Sequence, residues 1–152
     1  MKQEPIVVEQ TYMATVAEVW EALTNKEEMK EWYFDLEEFM PEVGFSFQFL
    51  AGTEEKKFLH LCRITEVVYR KKIAYTWAYE GVPVETVVSF ELFEEGPEQT
   101  MVRLTHVGVD QFPADNKDLA RGNFVAGWNA IIGTNLKNYV EKKHEDVENE
   151  VH

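Results

Sequence analysis

No intrachain disulfide can form in this sequence, because Cys62 is the one cysteine among its 152 residues. Flanked by Leu61 and Ile64, that cysteine reads as a buried strand position rather than a reactive thiol. Basic residues are also scarce: 15 Lys and Arg stand against 28 Asp and Glu, for a formal net charge of −13. Such a balance repels phosphate backbones and anionic lipid surfaces, which argues against nucleic acid as a partner and casts the surplus acid as a solvating surface. No apolar run approaches the roughly 18 residues of a membrane span, so membrane insertion is not expected. The first residues, Met1 to Pro5, lack the charged and apolar regions of a secretory signal, so the expected location is cytoplasmic.

Catalytic and cofactor signatures are missing as well. There is no glycine-rich phosphate loop, no Cys-x-x-Cys, no Gly-x-Ser-x-Gly elbow and no histidine pair at metal spacing. His60, His106, His144 and His152 are too scattered for a zinc site, and carboxylate pairs such as Glu37-Glu38 and Glu94-Glu95 fall in predicted loops or at element ends. The sequence therefore carries no expectation of a metal, a cofactor or a catalytic residue.

What is present is enough apolar surface for one domain. Apolar residues make up 45% and aromatics 13%, running from Ile6 to Val140 without a polar linker. A chain of this size buries roughly 68–70% of its unfolded surface. Residues 1–143 are read as a single domain, and the acidic residues 144–152 as a tail that frays. Ile6 to Tyr12 alternates as a strand. Thr15 and Glu18 have the spacing of a capping box ahead of Val16, Val19, Trp20 and Leu23, and Asn25 with Glu28 opens a second short helix that turns Met29 and Trp32 inward. From Phe45 the period becomes two. Strands follow at Phe58 to Val68, Ile73 to Tyr79, Val84 to Phe93 and Thr100 to Val109, separated by short turns that imply antiparallel neighbours. Phe124, Val125, Trp128, Ile131, Ile132, Leu136, Tyr139 and Val140 then recur at helical spacing.

Pairing Tyr79 with Val84 sets Trp77 opposite Thr86 and Tyr75 opposite Val88, while pairing Leu92 with Thr100 sets His106 opposite Thr86. One face of the sheet is then bulky. The reverse face, with Ala74, Thr76, Ala78, Glu85 and Ser89, is small or polar and suits water. The bulky face must be covered, and the long last helix is its natural cover. The expected fold is α+β: a curved six-stranded antiparallel sheet wrapped around a long C-terminal helix, with two short helices between the first two strands.

Local strings in this order resemble the SRPBCC, or START-like, superfamily with its helix-grip fold, known from the birch-pollen allergen. They are Val19-Trp20-Glu21-Ala22-Leu23-Thr24, Trp32, Gly44-Phe45-Ser46-Phe47, Ile73-Ala74-Tyr75-Thr76-Trp77, Leu104-Thr105-His106, and Gly127-Trp128 with Ile131, Ile132, Leu136, Tyr139 and Val140. Within the superfamily the chain is similar to the branch related to the C-terminal domain of the activator of the ninety-kilodalton heat-shock protein ATPase. It departs from that pattern at Val43-Gly44, at Cys62 and at Tyr69-Arg70.

A cavity between the bulky face and the last helix is the default binding site of such a grip. The residues assigned to it are Trp32, Phe47, Phe49, Ile64 and Tyr75, then Trp77, Thr86, Val88, Phe90 and Leu104, and finally His106, Trp128 and Ile132. Each ring among them can equally fill a core. His106 is either a pocket acid–base group or a core histidine satisfied by Thr86 or water. Gly127 and Gly133 cost helix propensity and suggest close packing or an opening for a ligand. Residues 108–123, with Pro113 and Gly122, are the expected gate. Three functions are thus open. The chain binds a small apolar or aromatic ligand of the lipid, sterol or polyketide class; or it is a protein-interaction module resembling a chaperone activator; or it is a cyclase- or hydrolase-type enzyme using a pocket histidine.

Overall fold

The computed structural model describes residues 4–52, 57–113 and 115–150. Strand β1 (Ile6–Tyr12) leads to helices α1 (Val16–Thr24) and α2 (Lys26–Trp32), followed by β2 (Ser46–Gly52), β3 (Lys57–Val68), β4 (Lys72–Tyr79), β5 (Val82–Gly96) and β6 (Gln99–Val107). Two short 3₁₀ turns, Val109–Gln111 and Lys117–Leu119, precede a continuous rod built of α3 (Arg121–Ala130), a π-helical segment (Ile131–Leu136) and α4 (Lys137–Glu150). The strands form one antiparallel sheet ordered β1-β6-β5-β4-β3-β2, so the meander returns to lie beside β1. The sheet and rod make the helix grip that the sequence pattern demands.

Local chemistry explains the helix starts. The Thr15 hydroxyl accepts the Glu18 N–H at 3.1 Å while the Glu18 carboxylate accepts the Thr15 N–H at 2.9 Å, a complete capping box. Asn25 Oδ1 accepts the Glu27 and Glu28 N–H groups at the head of α2. Trp32 then donates its indole N–H to the Ala22 carbonyl at 2.8 Å, which pins α2 against α1. Replacing Thr15 with Ala leaves the box without its acceptor, and chemical denaturation of that variant should show a loss of about 1 kcal/mol.

The register confirms Trp77 opposite Thr86 and Tyr75 opposite Val88, but Tyr79 meets Val82 rather than Val84, through a bulge after Ala78. On the other side of β5, Leu92 pairs with Val102 and His106 with Val88, not with Thr100 and Thr86 as expected. The cause is the tight hairpin, in which Gly96 pairs with Gln99 and a second bulge falls between Glu94 and Gly96. The slip is two residues, an even number, so every side chain keeps its face. On the outer face, Ala74 and Thr76 are buried instead of facing water. The Thr76 hydroxyl accepts the Arg63 N–H at 2.9 Å, which gives its buried oxygen a partner on β3.

The core lies between the sheet's inner face and the rod, where Val88, Leu104, Ile132, Leu136 and Val140 are fully buried. Residues 144–150 of the acidic tail continue α4 to Glu150, and 151–152 lie outside the described residues. His144 Nδ1 lies 2.7 Å from the Glu18 carboxylate, and Lys143 Nζ lies 2.6 Å from that of Glu28, so two acids of α1 and α2 hold the rod's last turns. Among the described residues no helix is long and apolar enough to cross a membrane.

Candidate functional site

The grip closes on aromatic rings, which pack against one another at its centre. Phe47 meets Tyr75 edge-on at 5.1 Å, Tyr75 lies 5.8 Å from Phe90, and Trp77 meets Trp128 of the rod at 5.2 Å. Tyr33, the residue after α2, reaches in so that its hydroxyl sits 2.6 Å from that of Tyr75. Burial pushes both phenols well above their ordinary pKa, so each stays protonated and the pair acts as a neutral polar staple.

His106 is fully buried within this packed region and both of its ring nitrogens are engaged. Trp128 donates its indole N–H to Nδ1 at 3.0 Å, which leaves the ring proton on Nε2, where it meets the Thr86 hydroxyl at 2.7 Å. Thr86 in turn donates to the Trp77 carbonyl at 2.7 Å. The chain of donors from rod to sheet is consistent only with a neutral imidazole. Burial lowers its pKa from 6.5 to about 3, in keeping with that geometry.

Toward one end of the grip the packing opens into a hollow of about 650 Å³, within the range of small-molecule sites. Its walls are rings and aliphatic groups: Phe34 from the segment after α2, Phe58 and His60 from β3, Trp77 and Tyr79 from β4, and Phe124, Trp128 and Ile131 from the rod. Leu119, Asp118 and Asn123 form part of its rim. His60 stacks on Phe49 at 4.6 Å and its Nδ1 donates to the Phe58 carbonyl at 2.9 Å. Burial lowers its pKa too, against the pull of the Phe58 and Phe49 carbonyls, and keeps it neutral. Trp77 Nε1 donates to the Tyr79 hydroxyl at 2.9 Å. Gly127 faces the hollow, and a Cβ there would meet nothing within 4 Å. This glycine is an opening rather than a close helix contact.

A larger depression of about 990 Å³ runs along β2 and the sheet's outer side. It carries outward residues such as Ser46, Gln48, Leu50 and Arg63 with the carboxylates of Asp35, Glu37, Glu38 and Glu85. Its lining is the more polar of the two, while the smaller hollow is walled mostly by rings, so the smaller hollow is the better candidate for an apolar ligand. Among the described residues no cluster of His, Cys, Asp or Glu is arranged to hold a metal ion.

Of the residues assigned from sequence, Trp77 and Trp128 line the hollow, while Phe47 and Phe49 border the outer depression. Trp32, Ile64, Tyr75, Thr86, Val88, Phe90, Leu104, His106 and Ile132 are buried and line neither. They belong to the buried core between the sheet, α2 and the rod. Sequence reasoning missed Phe34, His60, Phe58, Tyr79 and Phe124. The signal for Phe34 was the aromatic run Trp32-Tyr33-Phe34 at the end of α2, too long for one inward helix position. Residues 108–123, expected as a gate, do supply Asp118, Leu119 and Asn123 to the rim, but Val109, Phe112 and Leu119 anchor them by burial.

The six-stranded antiparallel sheet closed on a long C-terminal helix is a helix-grip fold. The chain belongs to the family described as Activator of Hsp90 ATPase homolog 1-like protein, which it matches over residues 13–141. Solved structures share the fold. Protein MLL2253 from Mesorhizobium loti is 25% identical with a TM-score of 0.74, over 91% of this chain and 98% of that one. DynU16, described as a putative protein in the dynemicin biosynthetic locus, is 24% identical with a TM-score of 0.73 over 93% of this chain; the match spans about half, 49%, of DynU16. The Aha1 dimer from Colwellia psychrerythraea is 20% identical with a TM-score of 0.66, over 91% of this chain and 97% of that one. No curated protein matches the chain.

Proposed function

We propose that this protein binds a small apolar or aromatic ligand, of the lipid, sterol or polyketide class, in the hollow between β3, β4 and α3. The observation that carries the reading is a ring-lined space of about 650 Å³ left open in a fold whose centre is otherwise packed. The missing side chain at Gly127 supports it, since an interior helix glycine costs about 1 kcal/mol against alanine and no close contact here requires one.

That glycine supplies the test. Gly127→Ala should raise stability by about 0.5–1 kcal/mol in denaturant titration, because a Cβ fits and the helix gains propensity. Gly127→Leu should fill the hollow and abolish saturable binding of an uncharged fluorescent probe such as N-phenyl-1-naphthylamine. If wild-type protein shows no competable binding of any apolar probe, the reading fails. If Gly127→Leu binds as well as wild type, the ligand sits elsewhere.

A protein-interaction role is the second reading. The family's description favours it, as does the outer depression, where Leu50 is 65% exposed beside a row of carboxylates. Capture of no chaperone, with no change in chaperone ATPase rate, leaves it without support. A cyclase or hydrolase working through His106 has less behind it, since Trp128 and Thr86 already occupy both ring nitrogens.

A further inference from the structure

Phe34 differs from the rings around it. Its face lies on that of Phe49, with ring centroids 4.2 Å apart and planes 19° from parallel, and it closes the hollow from the side of α2. His60, Trp77 and Tyr79, which line the same space, and Phe49, which Phe34 covers, are all buried and all belong to strands whose backbones are held by ladder hydrogen bonds. Phe34 is only half-buried, and it stands in residues 33–45, which form neither helix nor strand. The segment is anchored on either side of it by other side chains: Trp32 by its bond to Ala22, and Leu36 and Phe39 by burial. The ring can therefore leave its place by side-chain rotation while its neighbours stay fixed.

We propose that Phe34 stands in the ligand's place: the hollow takes a flat aromatic ring system without negative charge, which displaces the Phe34 ring and stacks on Phe49. This rests on the ligand-binding reading and deepens it by naming the ligand's shape and charge. Flatness follows from the wall the ligand meets, since Phe49 offers a ring face already used for face-to-face stacking, by Phe34 at 4.2 Å and by His60 at 4.6 Å. The absence of negative charge follows from the lining, which carries the carboxylate of Asp118. Among the described residues no lysine or arginine borders the hollow, so a carboxylate or phosphate would lose its water with no cation to receive it. The burial that keeps His60 neutral removes the one histidine that could supply positive charge. Exchange of one ring for another leaves Phe49 covered in both states, so the ligand does not have to open a new cavity in the core.

The experiment uses the full chain and N-phenyl-1-naphthylamine, with dodecanoate as an anionic apolar competitor. Phe34→Ala, which empties the place in advance, should bind the fluorophore at least ten-fold more tightly than wild type, and Phe34→Leu several-fold more tightly. Dodecanoate should displace the fluorophore poorly from both. In the wild-type complex, nuclear Overhauser contacts between the Phe34 and Phe49 rings should vanish at saturation. Wild-type binding with unchanged or weaker binding by Phe34→Leu, or Phe34–Phe49 contacts that survive saturation, overturns the displacement while leaving the hollow a ligand site. Efficient displacement by dodecanoate overturns the exclusion of anions. Absence of binding by wild type and both variants overturns the ligand-binding reading itself. Should Phe34→Ala unfold, Phe34→Leu and the ring contacts decide alone.

Discussion

His106→Ala should destabilise the protein by about 3–5 kcal/mol, the largest effect expected of any single histidine substitution here. The side chain is fully buried, so its loss leaves a cavity between β6 and the rod. It also leaves the Trp128 indole N–H without its acceptor and takes away the Nε2 contact of Thr86. His106→Gln, whose amide can accept from Trp128 and donate to Thr86, should recover much of that loss. The two variants separate packing from hydrogen bonding, and urea titration measures both.

The same residue makes stability depend on acid. Its folded pKa, about 3, lies below the unfolded value of 6.5, so between those limits the unfolded chain binds the extra proton. The stabilisation from keeping this ring neutral is fully present above pH 6.5 and is lost as pH falls toward 3. Between pH 7 and pH 5 this group alone should remove about 2 kcal/mol, by linkage. His60, also shifted downward by burial, contributes with the same sign. His106→Gln cannot titrate and should show a shallower decline over that interval, which denaturation at the two pH values will measure. An equal slope in wild type and His106→Gln would mean that the imidazole is not held neutral by the fold.

How much of this was legible depended on whether the cause was local. The Thr15–Glu18 box, the Asn25 cap and the alternation in β1 to β6 are read within a few residues, and the structure contains them all. The register of β6 was missed by two, because the bulge between Glu94 and Gly96 leaves no mark on hydrophobic period. The faces survived that error, which is why Trp77, His106 and Trp128 were rightly placed inside while Thr86 was wrongly set directly across from His106. The site was harder. Whether a ring fills space or borders it depends on what distant segments bring to meet it, and Phe34 and Tyr33 come from a stretch that reads as a connector. Nothing local to His106 announces that an indole three elements away will take its Nδ1.

Tyr12→Phe carries the second large expectation, and it concerns how the rod presents its rings to the hollow. The π-helical segment Ile131–Leu136 widens the turn at the centre of the rod. The Tyr12 hydroxyl, fully buried, donates to the Ile132 carbonyl at 2.5 Å. Burial first, and the Glu141 charge second, push its pKa far above the ordinary phenol value, so the donor proton stays at every accessible pH. Removing the hydroxyl deletes this buried hydrogen bond, at a cost of about 1 kcal/mol. A further consequence separates this bond from any ordinary one. The wide turn sets the rotation of α3 relative to α4, and hence the direction in which Gly127, Trp128 and Ile131 face the hollow. If Tyr12 maintains the wide turn, the phenylalanine variant should shift Trp128 emission and weaken apolar-probe binding, although neither Tyr12 nor Ile132 borders the site. Stability lost with emission and probe affinity unchanged would assign Tyr12 to the core alone, with the π turn held by its own sequence.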